Sequence, residues 1–287
     1  MKDVIKEIRN SISMSQSEFA EKIDVSFATV NRWENGRAVP NKIAQSKIYN
    51  VCKEHNVPIY EIILKKIDNL VAEIKPNKDR QILYHGSKSG INGRIMPSSR
   101  KHCDFGAGFY MGDDVSQALT LICDYEDSKL YVLSVDVATL KRVEIPTDIE
   151  WAMLVAYNRG KMEAIKGTDF YNKYKDITKN KDIVIGCIAN DRMFYVIDNF
   201  FEGNITDAAL VNSLSVLQLG KQYVAITQKA CDAARIEKEI ELSYLERLAI
   251  SDVSSENRTK GISLSNDICK DYRRQGLYFD EILDKAI

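Results

Sequence analysis

Asp104-Phe105-Gly106-Ala107-Gly108-Phe109-Tyr110-Met111-Gly112-Asp113-Asp114 is the stretch on which the reading of this 287-residue chain turns. Its three glycines alternate with bulky residues. Glycine tolerates backbone angles that a side chain forbids, and it lets a ligand approach the main chain. Phe105, Phe109 and Tyr110 supply flat faces for stacking. A wall of this kind suits a small aromatic ligand. A glycine-rich turn entering a half-buried strand accounts for the same letters, and short glycine motifs match by chance. The flanking chain has to decide between the two.

Upstream, Ile82-Leu83-Tyr84 reads as a short strand running into His85-Gly86-Ser87. A histidine at a strand end can bond into a cleft, and the glycine after it exposes its backbone. An ordinary strand and turn explains a lone histidine equally well. Arg100, after Ser98 and Ser99, can clamp a phosphate with two hydrogen bonds or be a surface arginine. Downstream, Asp114 opens a helix through Leu119. Strands are expected at 131–137, 182–188 and 222–226. Helices are expected at 150–158, 169–174, 206–217 and 228–234, with 236–287 charged and largely helical. Short strands mixed irregularly with helices indicate α+β. No GxGxxG stands at a strand–helix junction, which argues against a Rossmann fold.

Before this body lies a different unit. Val4, Ile5, Ile8 and Ile12 recur at helical spacing. Ser15 and Glu18 form a capping-box pattern for a second helix. Ser26 caps a third, Phe27 to Glu34, which Asn35-Gly36 stops. Pro40 opens a fourth. Two short helices joined by a brief turn make a helix-turn-helix. Residues 15–40 resemble the Cro/repressor-type family, with Gln16, Ala20, Val25, Val30, Trp33, Glu34, Gly36 and Pro40 at the family's positions. The resemblance implies that the third helix enters the DNA major groove. Ser26, Phe27, Ala28, Thr29, Asn31 and Arg32 are its outward candidates, and Gln16 and Arg37 are placed for phosphates or base edges. A homodimer is the family's usual binding state. A helical bundle for protein contacts is the competing reading.

Charge is divided in the same way. Residues 1–66 carry eleven Lys/Arg against eight Asp/Glu, while the remainder carries 29 against 33. A small basic head on an acidic body fits a nucleic-acid module joined to something else. The six cysteines are scattered without CxxC pairs, which argues against a zinc site and predicts no metal. The amino-terminal stretch lacks a signal-peptide core, and no apolar run reaches the ~18 residues of a membrane span. A cytoplasmic protein is expected, with 1–66 a DNA-binding domain, 67–80 a linker and 81–287 the body; the linker begins in a helix tail, residues 65–74, that Pro76 and its polar neighbours end.

The order of motifs in the body resembles the ADP-ribosyltransferase fold of the His-Tyr-Glu type. More closely it resembles an uncharacterised bacterial family of that fold, whose pattern is Tyr84–Ser87, Asp104–Tyr110, Gln117-Ala118, Ile185–Arg192 and Gln222-Tyr223, covering about 81–235. The expected architecture is therefore an all-α helix-turn-helix domain followed by an ADP-ribosyltransferase-like mixed α/β domain.

The resemblance implies NAD as cofactor. Gly86 would hold the nicotinamide carboxamide through its backbone, His85 the adjacent ribose, and Tyr110 would stack on the ring. Tyr84, Arg100, Phe105 and Gly106 complete the expected cofactor site. Cleavage of the N-glycosidic bond passes through an oxocarbenium-like state, which a carboxylate normally stabilises. Here the third catalytic position, after His85 and Tyr110, is Gln222. An amide can hydrogen-bond a hydroxyl but cannot balance a full charge or take a proton. Asp191, in the Asn190-Asp191-Arg192 turn, is the acidic substitute to weigh against an ordinary turn residue. The implied activity is transfer of ADP-ribose to a macromolecular acceptor, as in a toxin or defence effector. Two alternatives stand beside it: a regulator whose body senses NAD without catalysis, and a repressor whose body binds protein.

Overall fold

The computed structural model describes residues 1–74, 80–99, 102–188, 191–216 and 220–285. The described residues open with five helices: α1 (Lys2–Ser11), α2 (Gln16–Lys22), α3 (Phe27–Glu34), α4 (Lys42–Glu54) and α5 (Ile59–Ala72). Local signals set their ends. Ser15 accepts from the Glu18 backbone N–H, and the Glu18 carboxylate accepts from that of Ser15, so two orphan donors of α2 are satisfied. Ser26 caps α3, and Gly36 stops it at φ 71°. Asn41, not Pro40, caps α4; the Pro40 carbonyl instead accepts from the buried Gln45 amide at 2.8 Å. Ile5, Ile8, Phe19, Val30, Ile48 and Ile63 fill the space between these helices.

Helix α5 runs past the boundary expected at residue 66, because Ile59, Ile62, Ile63 and Ile67 repeat at helical spacing and are buried. The helix tail expected at the start of the linker segment is formed as far as Ala72. Residues 75–79 lie outside the described ones, and the first strand begins at Arg80.

The body is built on one seven-stranded sheet. Its strands are β1 (Arg80–Ser87), β2 (Phe109–Gly112), β3 (Lys129–Asp136), β4 (Arg142–Glu144), β5 (Ile183–Cys187), β6 (Lys221–Ala225) and β7 (Ala234–Glu241). Their order is β4-β5-β6-β2-β1-β3-β7. The β4–β5 pair is parallel and the remaining pairs are antiparallel. With the helical head this is an α+β chain, as the sequence predicts. Strand β7 is the exception within 236–287, where the described chain is otherwise largely helical as expected. It pairs with β3 at the sheet edge, where Arg235, Glu237, Lys238, Glu239 and Glu241 interrupt its apolar residues. Charges of this kind keep an edge strand from pairing with another chain, and they also hide the strand's alternation from a sequence reading.

Helices cover the sheet: α6 (Val115–Ile122), α7 (Ile149–Asn158), α8 (Asp169–Asp176), α9 (Asp191–Phe201), α10 (Asp207–Val216), α11 (Gln228–Asp232), α12 (Tyr244–Tyr272) and α13 (Phe279–Asp284). The long α12 ties the two parts together. Its Leu245, Ala249 and Ile250 enter the same apolar cluster as Ile48, Val51 and Ile63 of the head and Leu119 and Ile122 of α6. Polar contacts line this seam. The Leu245 N–H donates to Gln45 at 2.9 Å. Lys66 meets the fully buried Glu246 at 2.7 Å. Asp252 accepts from Tyr49 and Lys53. Further along, α12 packs on α9 and α10. Head and body share this one apolar cluster.

Candidate functional site

Sheet register brings the motif residues together. Tyr84 pairs with Gly112, Gly112 with Gln222, and Gln222 with Gly186. Residues in one cross-strand row share a face, so Tyr84 and Gln222 stand two strand spacings, about 10 Å, apart on the same side of the sheet. Gly112 between them has no side chain to fill the gap. Tyr110, two residues back along β2, shares that face. Helix α6 roofs the trough and leaves a cavity of about 120 Å³, lined by Tyr84, Gly86, Tyr110, Gln117, Leu121 and Gln222 among others. Gly86 is required by the roof: a Cβ there would stand 2.5 Å from the Ala118 carbonyl oxygen and 2.8 Å from Ile122.

Registered β1–β2 pairing among the described residues is confined to Tyr84 with Gly112. Past that pair, the His85 Nδ1–H donates to the Tyr110 carbonyl at 2.7 Å. A carbonyl only accepts, so Nδ1 carries the proton and Nε2 of the neutral ring is left as an acceptor. Burial lowers the imidazole pKa and outweighs that hydrogen bond, which pulls the other way. The ring packs on Phe109 with centroids 4.3 Å apart. Strand alternation directs His85 to the face opposite Tyr84, Tyr110 and Gln222. It therefore borders a second cavity of about 350 Å³, lined also by Ser87, Arg94, Ser99, Gly108 and Tyr110. The two cavities share His85 and Tyr110 in their linings.

The other predicted residues are placed less uniformly. The Tyr110 hydroxyl donates to the Gly106 carbonyl at 2.7 Å and accepts from the Phe105 N–H at 3.0 Å. Its loop holds it, and burial pushes its pKa up. Phe105 is no ligand wall: it is buried, with its ring on Gly186, where a Cβ would lie 2.5 Å from Cζ. Gln222 is 6% exposed. Its Nε2 donates to the Cys187 carbonyl at 2.9 Å, which also accepts from the buried Trp151 indole at 3.0 Å. Arg100 lies outside the described residues. Asp191 begins α9 rather than forming a turn, and its side chain lies outside the described ones.

The acid that the sequence reading did not choose is Asp104. It is almost fully enclosed, bonded by Arg159 at 2.7 and 3.1 Å and also by the Gln222 amide. Burial pushes its pKa up against the opposing pull of Arg159 and Gln222. Asp104 is the first letter of the decisive stretch, yet nothing local marks it. Its arginine partner is 55 residues away.

In the head, α3 exposes Ser26, Phe27, Ala28 and Arg32, with Thr29 and Asn31 half-buried. Arg37 is exposed beyond its end. Gln16 is turned inward, donating to Glu34 at 2.6 Å and accepting from Asn31 at 3.2 Å.

The geometry defines a class: a helix-turn-helix head of the DNA-binding type, packed on an α/β body with a clefted sheet. Residues 5–62 match the family described as Helix-turn-helix. Residues 81–235 match the family described as Protein of unknown function (DUF3990), and the chain belongs to it. No curated protein and no solved structure matches. Among the described residues no helix is long and apolar enough to cross a membrane.

Proposed function

We propose that the body uses NAD to transfer ADP-ribose to a macromolecular acceptor, while the head binds DNA. One observation carries this reading. At the opening between β1 and β2, His85, Gly86 and Tyr110 meet, with Gln222 on the wall of the same cavity. These are the four positions that the resemblance assigns to ribose, carboxamide, nicotinamide ring and catalysis. NAD would supply the glycosidic bond and its nicotinamide leaving group.

The residues fit in part. A cavity of about 120 Å³ is small beside the ~300–1,000 Å³ of ordinary ligand pockets. It suits one ring, with the remaining nucleotide extending past His85 into the larger cavity. His85 offers Nε2 to a ribose hydroxyl, and Tyr110 offers a ring whose hydroxyl is already engaged. Gln222 can accept a hydrogen bond but takes no proton. Asp104 places a carboxylate behind that amide and orients it.

A second reading, a regulator that binds NAD without turning it over, is favoured by the shared core of head and body and by the neutral Gln222. The two are separated by incubating the protein with NAD labelled on the adenylate phosphate, together with cell lysate. Label on macromolecules supports the transferase. Nicotinamide release without label supports hydrolysis. Thermal stabilisation by NAD with neither signal supports the sensor. Tyr110→Phe, which keeps the ring, should retain NAD binding, and Tyr110→Ala should lose it. If no signal and no stabilisation appeared, both readings would fail.

A further inference from the structure

The candidate DNA readers of the head are not equally free. Gln16 is bonded to Glu34 and Asn31, and the Asn31 side-chain oxygen also accepts from Asn35 at 3.2 Å. Glu34 is in turn clamped by two bonds from Arg9 at 2.6 and 3.0 Å. The Ser26 and Thr29 hydroxyls bond each other at 2.9 Å. Amides are the side chains that read adenine, and both amides here are held by their own scaffold. What remains on the outer surface of α3 is Phe27, 52% exposed, with Ala28 and Arg32 beside it. Arg32 makes no hydrogen bond or ion pair among the described residues.

Position adds to this. Phe27 and Ala28 are the first two residues of α3, and the leading end of the second helix is the part that meets base edges in the major groove. Only thymine presents an apolar group there, its C5 methyl. Ala28 and Arg32 are four residues apart and so lie on one helix face. An arginine one turn behind an apolar tip matches the acceptors of a guanine next to the thymine.

We propose that the head recognises duplex DNA through thymine methyl groups, read by Phe27 and Ala28, with Arg32 as the polar reader beside them. This does not depend on the NAD reading of the body.

The test starts by selecting binding sites for the full chain from a randomised duplex pool. Each thymine of the selected site is then replaced by deoxyuridine, which removes the methyl and nothing else, and affinity is followed by fluorescence anisotropy. At least one replacement should weaken binding about fourfold, the worth of one buried methyl group at ~0.8 kcal/mol. Phe27→Ala should weaken binding and abolish that penalty. Arg32→Ala should weaken binding and leave the penalty intact. The proposal is overturned if the pool enriches no site, if no thymine is sensitive, if the penalty survives Phe27→Ala, or if Arg32→Ala removes it equally.

Discussion

Two arginine–carboxylate pairs of similar exposure settle their charges in opposite directions. In the head, Arg9 and Glu34 have side chains 13% and 4% exposed; in the body, Arg159 and Asp104 are 14% and 13% exposed. Burial works against the charge of Glu34, yet the bonds from Arg9 and Gln16 and the charges of Arg9 and Lys6 outweigh it, holding Glu34 below the usual carboxylate range. For Asp104 burial wins: Arg159 and Gln222 oppose it, the negative charge of Asp198 adds to it, and the pKa is raised. The first pair is a brace. In the second, burial disfavours the charge of Asp104 more than Arg159 and Gln222 favour it, and groups perturbed in this way concentrate at functional sites. The two pairs therefore report different roles although they look alike in a contact list.

Breaking the brace gives the largest expected effect. Arg9→Ala leaves a buried Glu34 with Gln16 alone, and removing one partner of a buried pair costs about 3 kcal/mol. Urea unfolding of the full chain measures it, and a loss below about 1 kcal/mol would mean that the head does not depend on the pair. The sign of the pH response follows from the same shift. Because folding lowers the Glu34 pKa, its stabilisation is complete above the unfolded value of ~4.3 and is lost as pH falls through the folded value. Arg9→Ala should flatten that acid limb.

The body's pair should respond differently. Asp104→Asn removes a charge that burial already disfavours and keeps an acceptor for Arg159, which also meets Asp198 at 3.5 Å. Stability should change by less than about 1 kcal/mol. If Asp104 orients Gln222 for chemistry, nicotinamide release should fall at least tenfold, about 1.4 kcal/mol of barrier. A variant that unfolds like Arg9→Ala, with turnover unchanged per folded molecule, would make Asp104 a brace as well.

The same contrast explains what the sequence made legible. The head's caps at Ser15 and Ser26 and its stop at Gly36 follow from signals within one short stretch and stand where those signals put them; the outward α3 candidates came from the family resemblance, and of these Thr29 and Asn31 are half-buried. In the body β1, β3, β5 and β6 were readable from their apolar runs. The trough was not, because it depends on the register that sets Tyr84, Gly112 and Gln222 in one row. Phe105 resembled a stacking residue by composition, but only the approach of Gly186 shows that it belongs to the core. Asp104 carried no signal beyond its letter, since its meaning comes from Arg159 and Gln222, both distant in the chain.

His85 offers a smaller effect that tests the cleft without a ligand. Burial lowers its pKa in the folded protein. The unfolded chain therefore takes up the proton first, so stability should decline as pH falls below the unfolded value of ~6.5. Unfolding free energies measured between pH 7.5 and 5.5 should slope downward in the wild type. The slope should shrink in His85→Asn. An unchanged slope would mean that His85 is not buried as a neutral acceptor, and Nε2 would then not be the group presented to a ribose.

The smallest effect is expected at the rim between the two regions. Lys42 of α4 pairs with Glu126 of the body, but their side chains are 60% and 64% exposed. An exposed pair gains little Coulomb energy in water, is screened by salt and must order two long side chains. Lys42→Ala should therefore cost under about 0.5 kcal/mol, with no dependence on salt beyond that of the wild type. Lys66 stands at the opposite limit, because it faces a Glu246 that water does not reach. If head and body are held by their common core and this buried seam, unfolding of Lys42→Ala should remain a single transition at nearly the wild-type midpoint. A loss above 1 kcal/mol, or a split into two transitions, would show that the surface pair fastens the head. The cleft and the DNA-reading helix would then be joined by a contact that salt can loosen, and not by packing.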